Sequence, residues 1–153
     1  MIVIDMITET DENAIRFLMS GDEAYFSGDL DTAIDKYETV ILAKESNLSP
    51  YVLANAHYNI AMVHFEKGDY GASTKELNDC IGLLQDYQDK HNRLHAPAMS
   101  LHKFAHILLN ETARMESQRK SEEQNTMIVK QGDVDSIFPS RSPKNRRGVK
   151  RWR

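Results

Sequence analysis

Apolar residues recur at intervals of about three and four through most of this chain, and short polar turns break the runs they form. That period gathers them on one face of a helix, whereas a strand would alternate them between two faces. The pattern predicts about five helices. The first runs from about Glu12 to Ser27, after capping residues in Thr8-Glu9-Thr10-Asp11, and the second from about Leu30 to Lys44. Glu45-Ser46-Asn47-Leu48-Ser49-Pro50 is a connection, and Pro50 suits the first turn of a third helix that reaches about Lys67. The fourth runs from Tyr70 to about Lys90. The fifth starts at His95-Ala96-Pro97, continues through Leu101, Phe104, Ile107 and Leu108, and fades after Met115.

One local pattern is written twice, 40 residues apart. Gly21-Asp22-Glu23-Ala24-Tyr25-Phe26-Ser27-Gly28-Asp29 is answered by Ala61-Met62-Val63-His64-Phe65-Glu66-Lys67-Gly68-Asp69. Gly28 and Gly68 end the first helix of each pair, where a left-handed residue satisfies orphan carbonyls without steric penalty. Asp29 and Asp69 follow as N-caps of the second helix. Gly21, Ala61, Ala33 and Ser73 are small residues where paired helices approach closely. Phe17, Tyr37, Val40 and Ile41 fill the first unit, and Ile60, Leu77, Cys80 and Ile81 the second. A helix-turn-helix unit that repeats is the mark of a stacked solenoid, an architecture that presents a concave binding surface.

On these residues, and on Ala56-His57-Tyr58-Asn59-Ile60-Ala61, the chain resembles the tetratricopeptide repeat (TPR) family over about residues 13 to 118. The spacing of 40 exceeds that family's usual repeat of about 34 residues and implies longer helices. Ser73 stands where Ala is commoner, and Leu108-Leu109 stands where a third Gly-Asp turn would fall. The resemblance implies an all-α, TPR-like helical hairpin solenoid of two repeats, capped by a long final helix or completed by a second copy of the chain. Residues 1–11 form a leader, 12–118 the helical domain, and 119–153 a disordered tail that ends in a basic tip.

In the repeat register, the concave face carries Ile15, Leu18, Met19, Asp22, Tyr25 and Phe26 from the first helix. From the third it carries Asn55, Tyr58, Asn59, Met62, Phe65 and Glu66. Methionine and aromatic side chains give adaptable apolar contact, and an amide such as Asn59 pairs with both polar groups of an extended backbone. The resemblance implies backbone recognition at Asn59. It argues against capture of a chaperone's C-terminal carboxylate, because Leu18 and Asp22 occupy the places where that subset of the family carries Lys and Asn. An acidic, apolar groove suits a peptide or helix with apolar anchors and some positive charge.

Charge divides the chain sharply. Of its 19 basic residues, seven lie in the last thirteen positions, and none of its 23 acidic residues does. Arg141, Lys144, Arg146, Arg147, Lys150, Arg151 and Arg153, with Trp152 among them, therefore sit opposite an acidic body. Such a tip suits nucleic-acid phosphates, a nuclear-import address, an acidic protein surface or plain solvation. A nucleic-acid-associated accessory protein is thus the alternative to a protein-binding adaptor or chaperone.

Enzymatic chemistry is not indicated. His91 and His95, and His102 and His106, have helical i,i+4 spacing, but His102-Lys103-Phe104-Ala105-His106 lacks the glutamate of zinc-protease helices and no cysteine joins either pair. The sequence has no phosphate loop or nucleophile elbow, and no cofactor or metal is expected. The single cysteine, Cys80, excludes a disulfide within the chain and fits a reducing, intracellular compartment, cytoplasmic or nuclear. Met1-Ile2-Val3-Ile4-Asp5-Met6-Ile7 lacks the basic start of a secretory signal, and no run approaches membrane-spanning length.

Overall fold

The computed structural model describes residues 9–43 and 47–137, with side chains over 11–43 and 47–131. Its elements are α1 (Glu9–Phe26), α2 (Leu30–Leu42), α3 (Pro50–Glu66), α4 (Tyr70–His91) and α5 (Ala96–Ile137), with no strand among the described residues. The described residues form an all-helical structure, as the apolar period predicts.

The two Gly-Asp turns are built alike. Gly28 has φ +88° and Gly68 +80°, the left-handed region that a side chain would strain. The Asp29 N–H donates back to Ala24 O at 2.9 Å and the Gly28 N–H to Tyr25 O at 3.1 Å. In the second turn Asp69 donates to His64 O at 2.8 Å and Gly68 to Phe65 O at 3.0 Å. These paired bonds satisfy the last carbonyls of α1 and α3 in the Schellman arrangement. Each aspartate then caps the next helix: Asp29 accepts from the Thr32 N–H, and Asp69 from the Ala72 N–H. Such short turns fold α2 back on α1 and α4 back on α3, and α2 packs against α3 while α1 also reaches α3.

Two apolar clusters hold these elements together. The first joins Ala14 and Leu18 of α1, Ala33, Tyr37 and Val40 of α2, and Val52, Ala56, Ile60 and Val63 of α3. The second joins Ala54 and Ala61 of α3, Leu77, Cys80 and Leu84 of α4, and Ala98, Leu101 and Ala105 of α5. α3 thus gives one face to each cluster, which explains why it is apolar nearly all round. Ser73 is fully buried, and its Oγ donates to Ala61 O at 2.9 Å and so bonds α4 to α3.

Several expectations change. Asp11 is not part of a leader. It lies in α1, fully buried, and its Oδ1 accepts the Ser49 N–H at 2.9 Å, tying the start of α1 to the N-cap of α3. Phe17 is 40 % exposed because the neighbouring position, Leu18, takes the inward-facing place. The fifth helix does not end near Met115. It continues to Ile137, because residues 116 to 131 are mostly good helix formers without Gly or Pro. From Glu116 the chain forms a second unit, separate from the body that ends at Met115. Within it, Lys120 pairs with Glu116 at 3.4 Å and Gln118 donates to Glu122 at 3.1 Å, so i,i+4 side-chain pairs take the place of a core. The basic tip, Arg141 to Arg153, lies outside the described residues.

Candidate interaction groove

Asp22 is the centre of a polar junction between three helices. Its Oδ1 accepts the Tyr37 hydroxyl of α2 at 2.5 Å and the Asn59 side-chain amide of α3 at 3.5 Å. One helical turn along α1, the Tyr25 hydroxyl donates to Glu66 Oε2 of α3 at 3.0 Å. These bonds bring Asp22, Tyr25, Asn59 and Glu66 together from positions as much as 44 residues apart. Burial pushes the Tyr37 phenol well above its ordinary range, and the bond to Asp22 and its charge push it the same way. Tyr25 is raised for like reasons, by burial first and then by Glu66. Both phenols therefore stay protonated and remain donors at neutral pH.

Around this junction lies a cavity of about 220 Å³, lined by Asp22, Tyr25, Phe26, Tyr37, Asn59 and Met62. Phe26 is 83 % exposed, and its ring meets the edge of Tyr25 with centroids 5.3 Å apart. Asp22 and Phe26 also border a larger open hollow along α1, with Arg16, Met19 and Glu23.

Of the residues that the sequence places on the concave face, the structure gathers Asp22, Tyr25, Phe26, Asn59 and Met62 around one cavity and sets Glu66 beside it. The others go elsewhere. Leu18 is 7 % exposed and belongs to the first apolar cluster, so it offers nothing to a partner. Tyr58 packs on the second cluster, where burial and the neighbouring Cys80 raise its phenol. Phe65 is half-buried, edge-on to Tyr70 with centroids 5.5 Å apart. Ile15 packs against the first cluster, Asn55 is half-buried away from the cavity, and Met19 is exposed on α1. Tyr37 is the participant that the periodicity hides. It reads as a core residue and is one, but its hydroxyl crosses to α1.

Most of the histidines make structural contacts, although His102 Nε2 is buried without a hydrogen-bond partner. The His95 Nδ1 accepts the Ala98 N–H at 3.2 Å and caps α5, and His91 lies over Tyr87 with ring centroids 4.3 Å apart. His102 and His106 lie ring edge to ring face, 4.6 Å between centroids, and burial followed by the charge of His106 lowers the His102 pKa. The best metal-like group is one the sequence does not suggest: His57, Glu76 and Asp79, with ligand atoms within 4.8 Å of one another. Lys75 already serves it, 3.5 Å from Glu76 and 3.1 Å from Asp79. His57 Nδ1 and Glu76 Oε1 stand 2.8 Å apart, the separation of a hydrogen bond between α3 and α4. Burial opposes ionisation of Glu76, yet the bond from His57 and the charges of His57 and Lys75 outweigh it and hold the carboxyl below its ordinary value. This cluster reads as an ion-paired staple.

No helix among the described residues is long and apolar enough to cross a membrane. In comparisons with known proteins, no family model, curated protein or solved structure matches the chain.

Proposed function

We propose that this chain is a non-enzymatic adaptor or chaperone of TPR-like hairpin-solenoid form, capturing a partner peptide or helix in the groove between α1 and α3. One observation carries the reading. Asp22, Tyr25 and Asn59, from two helices, are held around a single cavity that the exposed Phe26 also lines, with Glu66 bonded to Tyr25 beside it. Polar groups that converge on an apolar hollow are the usual form of a recognition site. The matching geometry of the two Gly-Asp turns supports the repeat, and α5 covers the second cluster as a cap would. The acidic lining favours a partner that combines apolar anchors with positive charge.

The test is an affinity pull-down with the intact chain, the Tyr25→Ala/Asn59→Ala variant, and a chain ending at Ser140. A protein partner lost only from the double variant is the expected result. The charge asymmetry favours a second reading, in which the basic tip contacts nucleic acid. Recovery of nucleic acid with the intact chain and its loss from the truncated one, with binding that falls steeply with salt, would move the function to the tail.

A further inference from the structure

We propose that the Asp22 cavity takes the guanidinium of an arginine side chain presented by the partner. This rests on the groove reading and names the chemistry of its central pocket. The lining holds one formal charge, the Asp22 carboxylate, and no positive one among the described residues. Both hydrogen bonds that Asp22 receives fall on Oδ1, so its second carboxylate oxygen keeps its capacity to accept. A neutral apolar anchor seated there would strip water from a carboxylate and give nothing in return. A cation restores that solvation by direct contact.

The surrounding groups choose among cations. Asn59 spends its Nδ2 on Asp22, so its amide oxygen remains an acceptor beside the carboxylate. Two acceptors on separate side chains match the planar fork of a guanidinium better than the point charge of an ammonium. Tyr25 and Phe26 line the same cavity, and a guanidinium stacks on aromatic rings while donating in its own plane. Glu66, held at the Tyr25 hydroxyl and exposed, adds a second negative charge at the approach. Arginine is also weakly hydrated, which favours its entry into a partly dry site.

The experiment uses the full chain and two synthetic hexapeptides, acetyl-Ala-Leu-Arg-Ala-Leu-Ala-amide and the same peptide with citrulline at position three, with a version carrying lysine there as a third probe. Citrulline keeps the shape of arginine without its charge. Binding is followed by backbone amide shifts in a ¹⁵N-labelled sample. The arginine peptide is expected to move the signals of Asp22, Tyr25, Phe26 and Asn59, and to bind at least about tenfold more tightly than the citrulline peptide. Asp22→Asn keeps an acceptor for Tyr37 and should reduce the arginine peptide to the citrulline level. If that variant fails to fold, Phe26→Leu, at an exposed position, should narrow the difference several-fold. Equal binding of both peptides at these residues would overturn the arginine subsite while leaving the groove intact. A lysine version that binds more tightly than arginine would overturn the choice of guanidinium. Neither peptide moving these signals would overturn subsite and groove together.

Discussion

Gly21 of α1 and Tyr37 of α2 share one space: a Cβ on residue 21 would stand 2.5 Å from Cε1 of the tyrosine ring. The ring cannot give way easily. Tyr37 is 2 % exposed, and its hydroxyl is anchored to Asp22 on the turn of α1 that carries Gly21. The small residue sets the distance between the two helices, and the tyrosine that fills the gap reaches on to the groove. Packing and the candidate site are therefore one arrangement in this helix pair.

Gly21→Ala should destabilise the chain by about 1–3 kcal/mol through overpacking, although alanine is the better helix former. Gly82 lies in α4 with nothing within 4 Å of a Cβ. Gly82→Ala should therefore stabilise by about 0.5–1 kcal/mol. Urea unfolding of both variants checks this. A Gly21→Ala variant as stable as the parent would mean that the ring moves freely and the close approach is not a constraint.

Tyr37→Phe keeps the ring and removes one donor from Asp22. It should cost about 1.5–3 kcal/mol, the range for a hydrogen bond to a charged group. It should also loosen Asn59, whose own contact with Asp22 is long at 3.5 Å. Changed amide shifts at Asn59 and Asp22, with the helical circular dichroism retained, are the expected signature.

Cys80 is fully buried in the second cluster, and burial raises its thiol from 9.0 to about 12. In the native chain it should resist a thiol reagent at pH 8 and react only on unfolding. The folded pKa is the higher one, so the contribution of this group to stability is intact below pH 9.0 and is lost as the pH climbs toward 12. Tyr25, Tyr37 and Tyr58 are raised as well and act in the same direction above pH 10.0. Urea midpoints should therefore fall through alkaline pH, with a shallower fall from pH 9 for Cys80→Ala. Rapid native labelling would refute the burial argument.

Glu76 gives the opposite slope. Its folded pKa lies below the ordinary 4.5, so the stability it supplies is present above that pH and is lost as pH falls through the folded value. Glu76→Gln should lose about 1 kcal/mol at pH 7 with the weakening of its bond to His57. Its stability should also fall less on acidification from pH 5 than that of the parent. Parallel acid limbs for the two proteins would show that the His57–Glu76 contact contributes nothing.

Residues 117–131 are all exposed, in a helix supported by side-chain pairs along its own surface. Helices without tertiary burial are marginal in water. Amide exchange should be slow through Ala98, Leu101 and Ala105, which are buried, and should rise by orders of magnitude beyond Glu116. Uniform protection along α5 would show that something covers its outer part.

The helices and their punctuation were legible in the order of residues alone. An apolar period of three to four residues admits no strand, and Gly28-Asp29 and Gly68-Asp69 combine a left-handed stop with an N-cap, a signal that depends on nothing beyond the next turn. That order also marked Gly21 and Ser73 as points of close approach, since only small side chains fit there. Tertiary structure decided which face of each helix points where. A register error of one residue exchanges Phe17 for Leu18, and neither differs enough in hydrophobicity to reveal it. α3 is apolar on two faces because it serves two clusters, so its sequence could not say that Tyr58 packs inward while Asn59 and Met62 face the cavity. The end of α5 escaped as well, because a polar helix without a buried face has no period to read. Above all, the link from Tyr37 to Asp22 joins residues on different helices, and only packing decides which hydroxyl meets which carboxylate.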